Sequence, residues 1–219
     1  MIYIIGLGPG HEDYILPKAI KTLKKCQIVV GFKRALDSLE IDDCQKVYMK
    51  RLSDIDKFII NDSGEKNIDH NTKNDSTDSI IHEKDLGIVA SGDPTFYGIT
   101  NYIKTKAQVP FEIIPGLSSF QYLTSKVKLP WNNAYVGSLH GRNDDFVHKV
   151  KEHEVTIWLT DKENNPSHLC EILIREEINA EVIIGENLSY EDEKIRVGKA
   201  EEFVSKEFSS LCIFITNRN

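Results

Sequence analysis

Short apolar runs alternate with segments of helical spacing through the first 126 residues, and this pattern constrains the fold more than any other feature of the chain. IYII (2–5) leads through glycines to Leu16, Ala19, Ile20 and Leu23, which recur at helical spacing, with Pro17 tolerable in the first turn. The strand-like runs QIVVG, KVYM, LGIVASG and FEIIPG follow, separated by the helical stretches KRALDSL, SDIDKFII and GITNYIKTKA and trailed by SSFQYLTSKV. Five apolar runs with helices between them predict an α/β fold built on a mostly parallel sheet covered on both faces. A length of 219 residues allows one large domain or two compact ones.

Two interruptions divide the chain. Between about 61 and 85 the sequence NDSGEKNIDHNTKNDSTDSIIHEKD has almost no apolar content. It cannot bury enough surface to offset its ordering entropy, so it reads as a polar surface insertion, with His70 and His82 as solvated side chains. The second interruption is KVKLPWNNA, where Pro130 breaks the preceding helix and Asn132-Asn133 favour a turn. An N-terminal α/β domain over 1–126, a linker at about 127–133 and a C-terminal α/β domain over 134–219 are expected. In the second, YVGSLH, DDFVHKVKEH, EVTIWLT and PSHLCEILIREEI alternate as before. AEVIIGENL, KIRVGKA and LCIFIT then follow at short intervals, which predicts antiparallel pairs and a mixed sheet.

The first strand ends in Gly6-Leu7-Gly8-Pro9-Gly10. A dinucleotide fingerprint, G-x-G-x-x-G, would need glycine at position 11, where His11 stands, and Pro9 removes an amide from the stretch that would face a pyrophosphate. No Gly-Lys-Ser or Gly-Lys-Thr follows, so a Walker loop is also excluded. A nucleotide-dependent dehydrogenase is correspondingly disfavoured. Two further loops, ASGDPTFYG (90–98) and PGLSSF (115–120), should reach the same carboxyl edge, where open parallel sheets bind ligands. Asp93 offers a carboxylate there or initiates a turn with Pro94; Ser118 and Ser119 offer hydroxyls and amides at a helix start or merely cap it.

Acidic residues exceed basic ones by 34 − 27 = 7, so no diffuse positive field exists for nucleic acid or an anionic membrane surface. No apolar run approaches the ~20 residues that span a bilayer. The chain starts with IYII rather than a basic and then apolar leader, and a cytoplasmic protein is expected. Cys26, Cys44, Cys170 and Cys212 are scattered without zinc-ligand spacing, and read as reduced thiols with no protein-bound metal.

GLGPG, SGDPTFYG and PGLSS, in this order and spacing, resemble the tetrapyrrole methyltransferase family over nearly the whole chain apart from the polar insertion. The resemblance implies two α/β domains with the active site in the cleft between them, S-adenosylmethionine as methyl donor and a homodimer. VGFKRAL, SLHGR, WLTD and GENLSYEDEKI are similar to the branch that methylates carbon 5 of a corrin precursor in cobalamin biosynthesis. Such a branch implies a carboxylate-rich substrate and a separate partner, a C15-methylating decarboxylase. The resemblance assigns Gly8, Pro9, Asp93, Thr95, Phe96, Tyr97, Ser118, Ser119, Thr160 and Leu188 to the donor. Lys33, Arg34, His140 and Arg142 are assigned to the substrate, with Lys50 and Arg51 either joining that patch or serving as ordinary solvated charges. His140 either carries the proton that the methylated carbon loses or is a strand-end histidine bonded to backbone. The alternatives are a family member acting at another ring position or on another substrate, and a noncatalytic binder that keeps the donor loops as a sensor or scaffold.

Overall fold

Alternation along β1 (Ile2–Gly6) sends Ile2 and Ile4 to one face of a sheet and Ile5 to the other, and the neighbouring strands follow the same rule. In β2 (Ile28–Phe32), Ile28 and Val30 join the face of Ile4, while Val29 joins that of Ile5. In β4 (Leu86–Ala90) the division is Leu86 and Ile88 against Val89. Both faces are therefore apolar and both need cover. One is packed by Phe58 and Ile59 of α3 (Asp56–Ile59) and Ile103 of α4 (Thr100–Lys106). The other is packed by Ala19 and Leu23 of α1 (Pro17–Leu23) and Leu36 of α2 (Lys33–Asp37).

The computed structural model describes residues 1–41, 43–60, 85–142 and 144–218. The expected polar insertion, with His70 and His82, lies outside the described residues except for Asp85. With β3 (Gln45–Met49) and β5 (Phe111–Ile114), the first sheet has the order β3-β2-β4-β1-β5, and every pairing in it is parallel. The strands β4, β1 and β5 are adjacent, so the loops that leave their carboxyl ends emerge side by side.

The chain divides into two compact units, Met1–Ser118 and Ser119–Asn219. Helix α5 (Ser119–Lys126), placed at the end of the first domain by its sequence position, thus groups with the second unit. The reason is its buried face: Phe120, Tyr122 and Leu123 are covered, and both Leu123 methyls lie 3.0 Å from where a Cβ on Gly185 would stand. The segment 127–133 accordingly lies inside that unit.

The second sheet runs β6 (Tyr135–Ser138), β7 (Val155–Leu159), β10 (Cys212–Asn217), β8 (Glu181–Glu186) and β9 (Lys194–Lys199). β6 and β7 are parallel, whereas β10 pairs antiparallel with β7 and β8, and β8 with β9. This is the mixed sheet expected from the closely spaced last three runs. Between these strands lie α6 (Phe146–Glu152) and α7 (Pro166–Arg175), capped by Asp145 and Asn165, whose side chains accept from the amides of His148 and His168. Trp158 is fully buried, and its indole N–H donates to Thr156 Oγ1 at 2.7 Å, so its polar edge is satisfied inside the core. Among the described residues no helix is long and apolar enough to cross a membrane.

Candidate functional site

The glycines of the three strand-end loops bring backbone against backbone. A Cβ on Gly6 would stand 2.6 Å from the Gly116 amide nitrogen and 2.7 Å from the Gly92 carbonyl oxygen; one on Gly116 would collide with the same Gly92 oxygen. Only glycine permits such an approach. Gly8 and Gly92 then exchange two hydrogen bonds, of 3.3 and 2.7 Å, which zip the β1 loop to the β4 loop. Gly8 sits at φ +80, and Gly92 at φ +66. His11, which occupies the place of the third glycine of a dinucleotide fingerprint, caps the 3-10 turn Glu12–Tyr14 by accepting from the Asp13 amide at 3.2 Å.

Asp93 fastens the third loop to the second. Its Oδ1 accepts from the Thr95 amide at 2.7 Å and from the Thr95 hydroxyl, while its Oδ2 accepts from the Gly116 amide at 3.1 Å. Partial burial raises the carboxyl pKa, but the bonds from Thr95, Gly116 and Phe96 outweigh it and hold the group below the usual carboxylate value. It is therefore an anion at neutral pH. Sequence reasoning assigned this carboxylate to the donor; the geometry shows that its first task is internal. With the Phe96 amide, Asp93 accepts four hydrogen bonds from the loops around it, about as many as a carboxylate can take. Next to it, Phe96 and Tyr97 pack edge to face at 4.9 Å, and Tyr97 adopts φ 49 while 39% exposed, a left-handed conformation rarely adopted by an aromatic residue. Ser118 is buried immediately before α5, and Ser119 opens that helix.

In the second unit an equivalent carboxylate does the same work, and sequence reasoning missed it. Asp161 Oδ2 accepts from the Gly141 amide at 2.8 Å, and Oδ1 from the amides of Asn164 at 2.7 Å and Glu163 at 3.0 Å. Asn164 Nδ2 donates to the Leu139 carbonyl at 3.3 Å. The loops after β6 and β7 are thereby tied together; the readable signal was an acidic residue at a strand end with asparagine three residues on. The bonds from Asn164, then Gly141, lower the Asp161 pKa. Gly141 needs its glycine for conformation, at φ +61, with nothing within 4 Å of a Cβ.

His140 lies in this tied loop. Its Nδ1 is 3.2 Å from the Thr160 carbonyl oxygen, which can only accept, so Nδ1 carries the proton and Nε2 is the basic nitrogen of the neutral ring. Thr160 is buried, and its hydroxyl donates to the Cys212 carbonyl at 3.0 Å. Arg142 is exposed two residues beyond His140. Leu188 is buried, its Cδ2 2.7 Å from a Cβ position on Gly185, so it packs over that strand. Buried Glu186 receives Arg196 Nε at 2.9 Å and the Ser209 amide at 3.1 Å, which fixes the start of the GENLSY loop.

Lys33 and Arg34 begin α2, directly after β2, and both are exposed. Lys33 is paired with Asp37, which also accepts from Tyr48 Oη at 3.1 Å. An incoming anion at Lys33 would have to compete with that carboxylate.

Residues 1–204 match the family of Tetrapyrrole (Corrin/Porphyrin) Methylases. The chain is 33% identical to a probable cobalt-precorrin-7 C(5)-methyltransferase of Methanocaldococcus jannaschii, over 98% of this chain and 97% of that one. It is 26% identical to the cobalt-precorrin-7 C(5)-methyltransferase of Salmonella typhimurium, over 89% of each. Its fold superimposes with a TM-score of 0.72, at 18% identity, on the uroporphyrin-III C-methyltransferase of Thermus thermophilus complexed with S-adenosyl homocysteine, covering 99% of this chain and 91% of that one. With the family matched across both units and a full-length relative a third identical, the chain belongs to the tetrapyrrole methylases.

Proposed function

We propose that the protein is an S-adenosylmethionine-dependent methyltransferase that methylates carbon 5 of a corrin precursor in cobalamin biosynthesis; the names of the two relatives give C(5)-methylation of cobalt-precorrin-7 for them. The observation that carries this reading is the fastening of the β1, β4 and β5 loops by glycine contacts and by Asp93, at the carboxyl edge of a parallel sheet. A methyl donor of the sulfonium type brings an already activated methyl group. The chain's contribution is then placement, in which loops that cannot drift hold the reactants in a near-attack pose.

The donor fits these residues by its polar ends. Asp93 keeps the loops in place and brings to this edge a negative charge that favours the donor's ammonium group. Ser118 and Ser119 lie at the amino end of the eight-residue α5, where amides and the helix dipole favour a carboxylate. Gly8, Pro9 and Thr95 to Tyr97 supply backbone around them, and the resemblance assigns Thr160 and Leu188 to the donor as well. Lys33, Arg34 and Arg142 meet carboxylate arms of the substrate, and Nε2 of His140 takes the proton released from the methylated carbon.

In this reading the protein works as a cytoplasmic homodimer and hands its product to a separate C15-methylating decarboxylase. Its four cysteines are all free thiols, and burial pushes Cys26, Cys170 and Cys212 up to about 12, which suits a reducing compartment. Titration of S-adenosylhomocysteine tests the donor site. Asp93→Ala should weaken binding by about tenfold or more, the loss of charge-assisted hydrogen bonds and of the loop geometry they hold. An unaltered dissociation constant would place the donor elsewhere.

A further inference from the structure

We infer that the pocket beside β3, flanked by Lys50 and Lys57, binds a carboxylate arm of the tetrapyrrole substrate, an inference that rests on the function proposed above. The pocket has a volume of about 320 Å³, and Val47, Met49, Lys50, Ser53, Asp54 and Lys57 are among its lining residues. It opens where β3 ends, and all pairings in the first sheet are parallel, so it lies at the same edge as the three glycine loops. β3 is two positions from β4 and three from β1. At about 4.8 Å per strand, that is a lateral offset of about 10 Å and about 14 Å. A macrocycle whose reacting carbon faces the loops would extend its peripheral arms over a comparable distance.

The cations of this region are not equivalent. Lys33 is paired with Asp37, Lys106 with Asp56 at 2.7 Å and Arg51 with Asp54 at 3.2 Å. Lys46 donates to the carbonyls of Leu36 at 3.1 Å and Leu39 at 2.7 Å, near the end of α2. Among the described residues, Lys50 and Lys57 have no carboxylate partner, and both line the pocket. Lys57 Nζ is 5.0 Å from the centroid of the Phe58 ring.

Asp54, the pocket's one carboxylate, does not cancel them. It accepts from the amides of Lys50 at 2.8 Å and Arg51 at 3.1 Å, and from Arg51 Nε, so its charge is used to shape the turn and is balanced by Arg51. Two ammonium groups therefore remain as the local excess in a chain whose net charge is −7. The walls fit the remainder of the ligand. Val47 and Met49, on one face of β3, offer apolar surface for the methylenes of an acetate or propionate arm, and Ser53 offers a hydroxyl. A bare inorganic anion would leave those walls unused.

The test uses the full chain carrying Lys50→Gln and Lys57→Gln together, with a labelled donor and cobalt-precorrin as acceptor. The KM for the corrin precursor should rise about tenfold or more, with kcat at saturation and the dissociation constant of S-adenosylhomocysteine retained. Added salt should raise the wild-type KM more steeply than that of the variant. A wild type that methylates, with a variant of unchanged KM or lowered kcat alone, would overturn the pocket and leave the function standing. A wild type that neither binds nor methylates the precursor would overturn both.

Discussion

Asp93 and Gly116 stand 23 residues apart and form one unit of structure, the carboxylate accepting the amide of a glycine that has no room for a side chain. The residue types were readable in SGDPTFYG and PGLSS, but their partnership was not, because it exists only after β4 and β5 have taken places on either side of β1. The same holds for Gly6, whose contact with Gly92 and Gly116 no local pattern could disclose. A comparison of two glycines tests this account. Gly116→Ala forces a methyl onto backbone atoms that cannot turn away, and should cost more than about 3 kcal/mol of unfolding free energy. Gly141→Ala faces open space and should cost only about 1 kcal/mol, from its φ of +61. Urea denaturation of both would check the ranking; equal losses would show that the loop contacts do not constrain the fold.

The strands were the most legible elements, since a short continuous apolar run has one reading once helices flank it, and the close spacing of β8, β9 and β10 foretold their antiparallel pairing. Helix α5 was legible as a helix but not in its allegiance, which Leu123 and Gly185 decide across more than sixty residues of chain. The tie between the β6 and β7 loops was missed because Asp161 reads as an ordinary strand-end turn. Its carboxyl is held below the usual 3.8, so it stabilises the fold above that value and the contribution is lost as the pH falls through the lowered native pKa. Asp161→Ala should cost about 2 kcal/mol at neutral pH, and the gap to wild type should close below about pH 3.8. Unfolding curves collected from neutral to acid pH would show it; a gap independent of pH would mean that the charge is not what holds the loops.

For the molecule as a whole, an acidic chain that is to hold the carboxylate-rich substrate proposed for it must place its positive charge locally. The first sheet does so at one edge: Lys33 and Arg34 follow β2, and Lys50 and Arg51 follow β3, beside loops that carry little charge of their own. The fold agrees with that of a solved methyltransferase across nearly the whole chain, and that agreement was foreseeable because three short motifs fell at the ends of three strands. The activity proposed for this frame is most directly tested by supplying donor with a ¹³C methyl group and cobalt-precorrin, then locating the label in the product by NMR. The account predicts one labelled methyl on carbon 5; label on any other carbon, or donor binding without transfer, would contradict it.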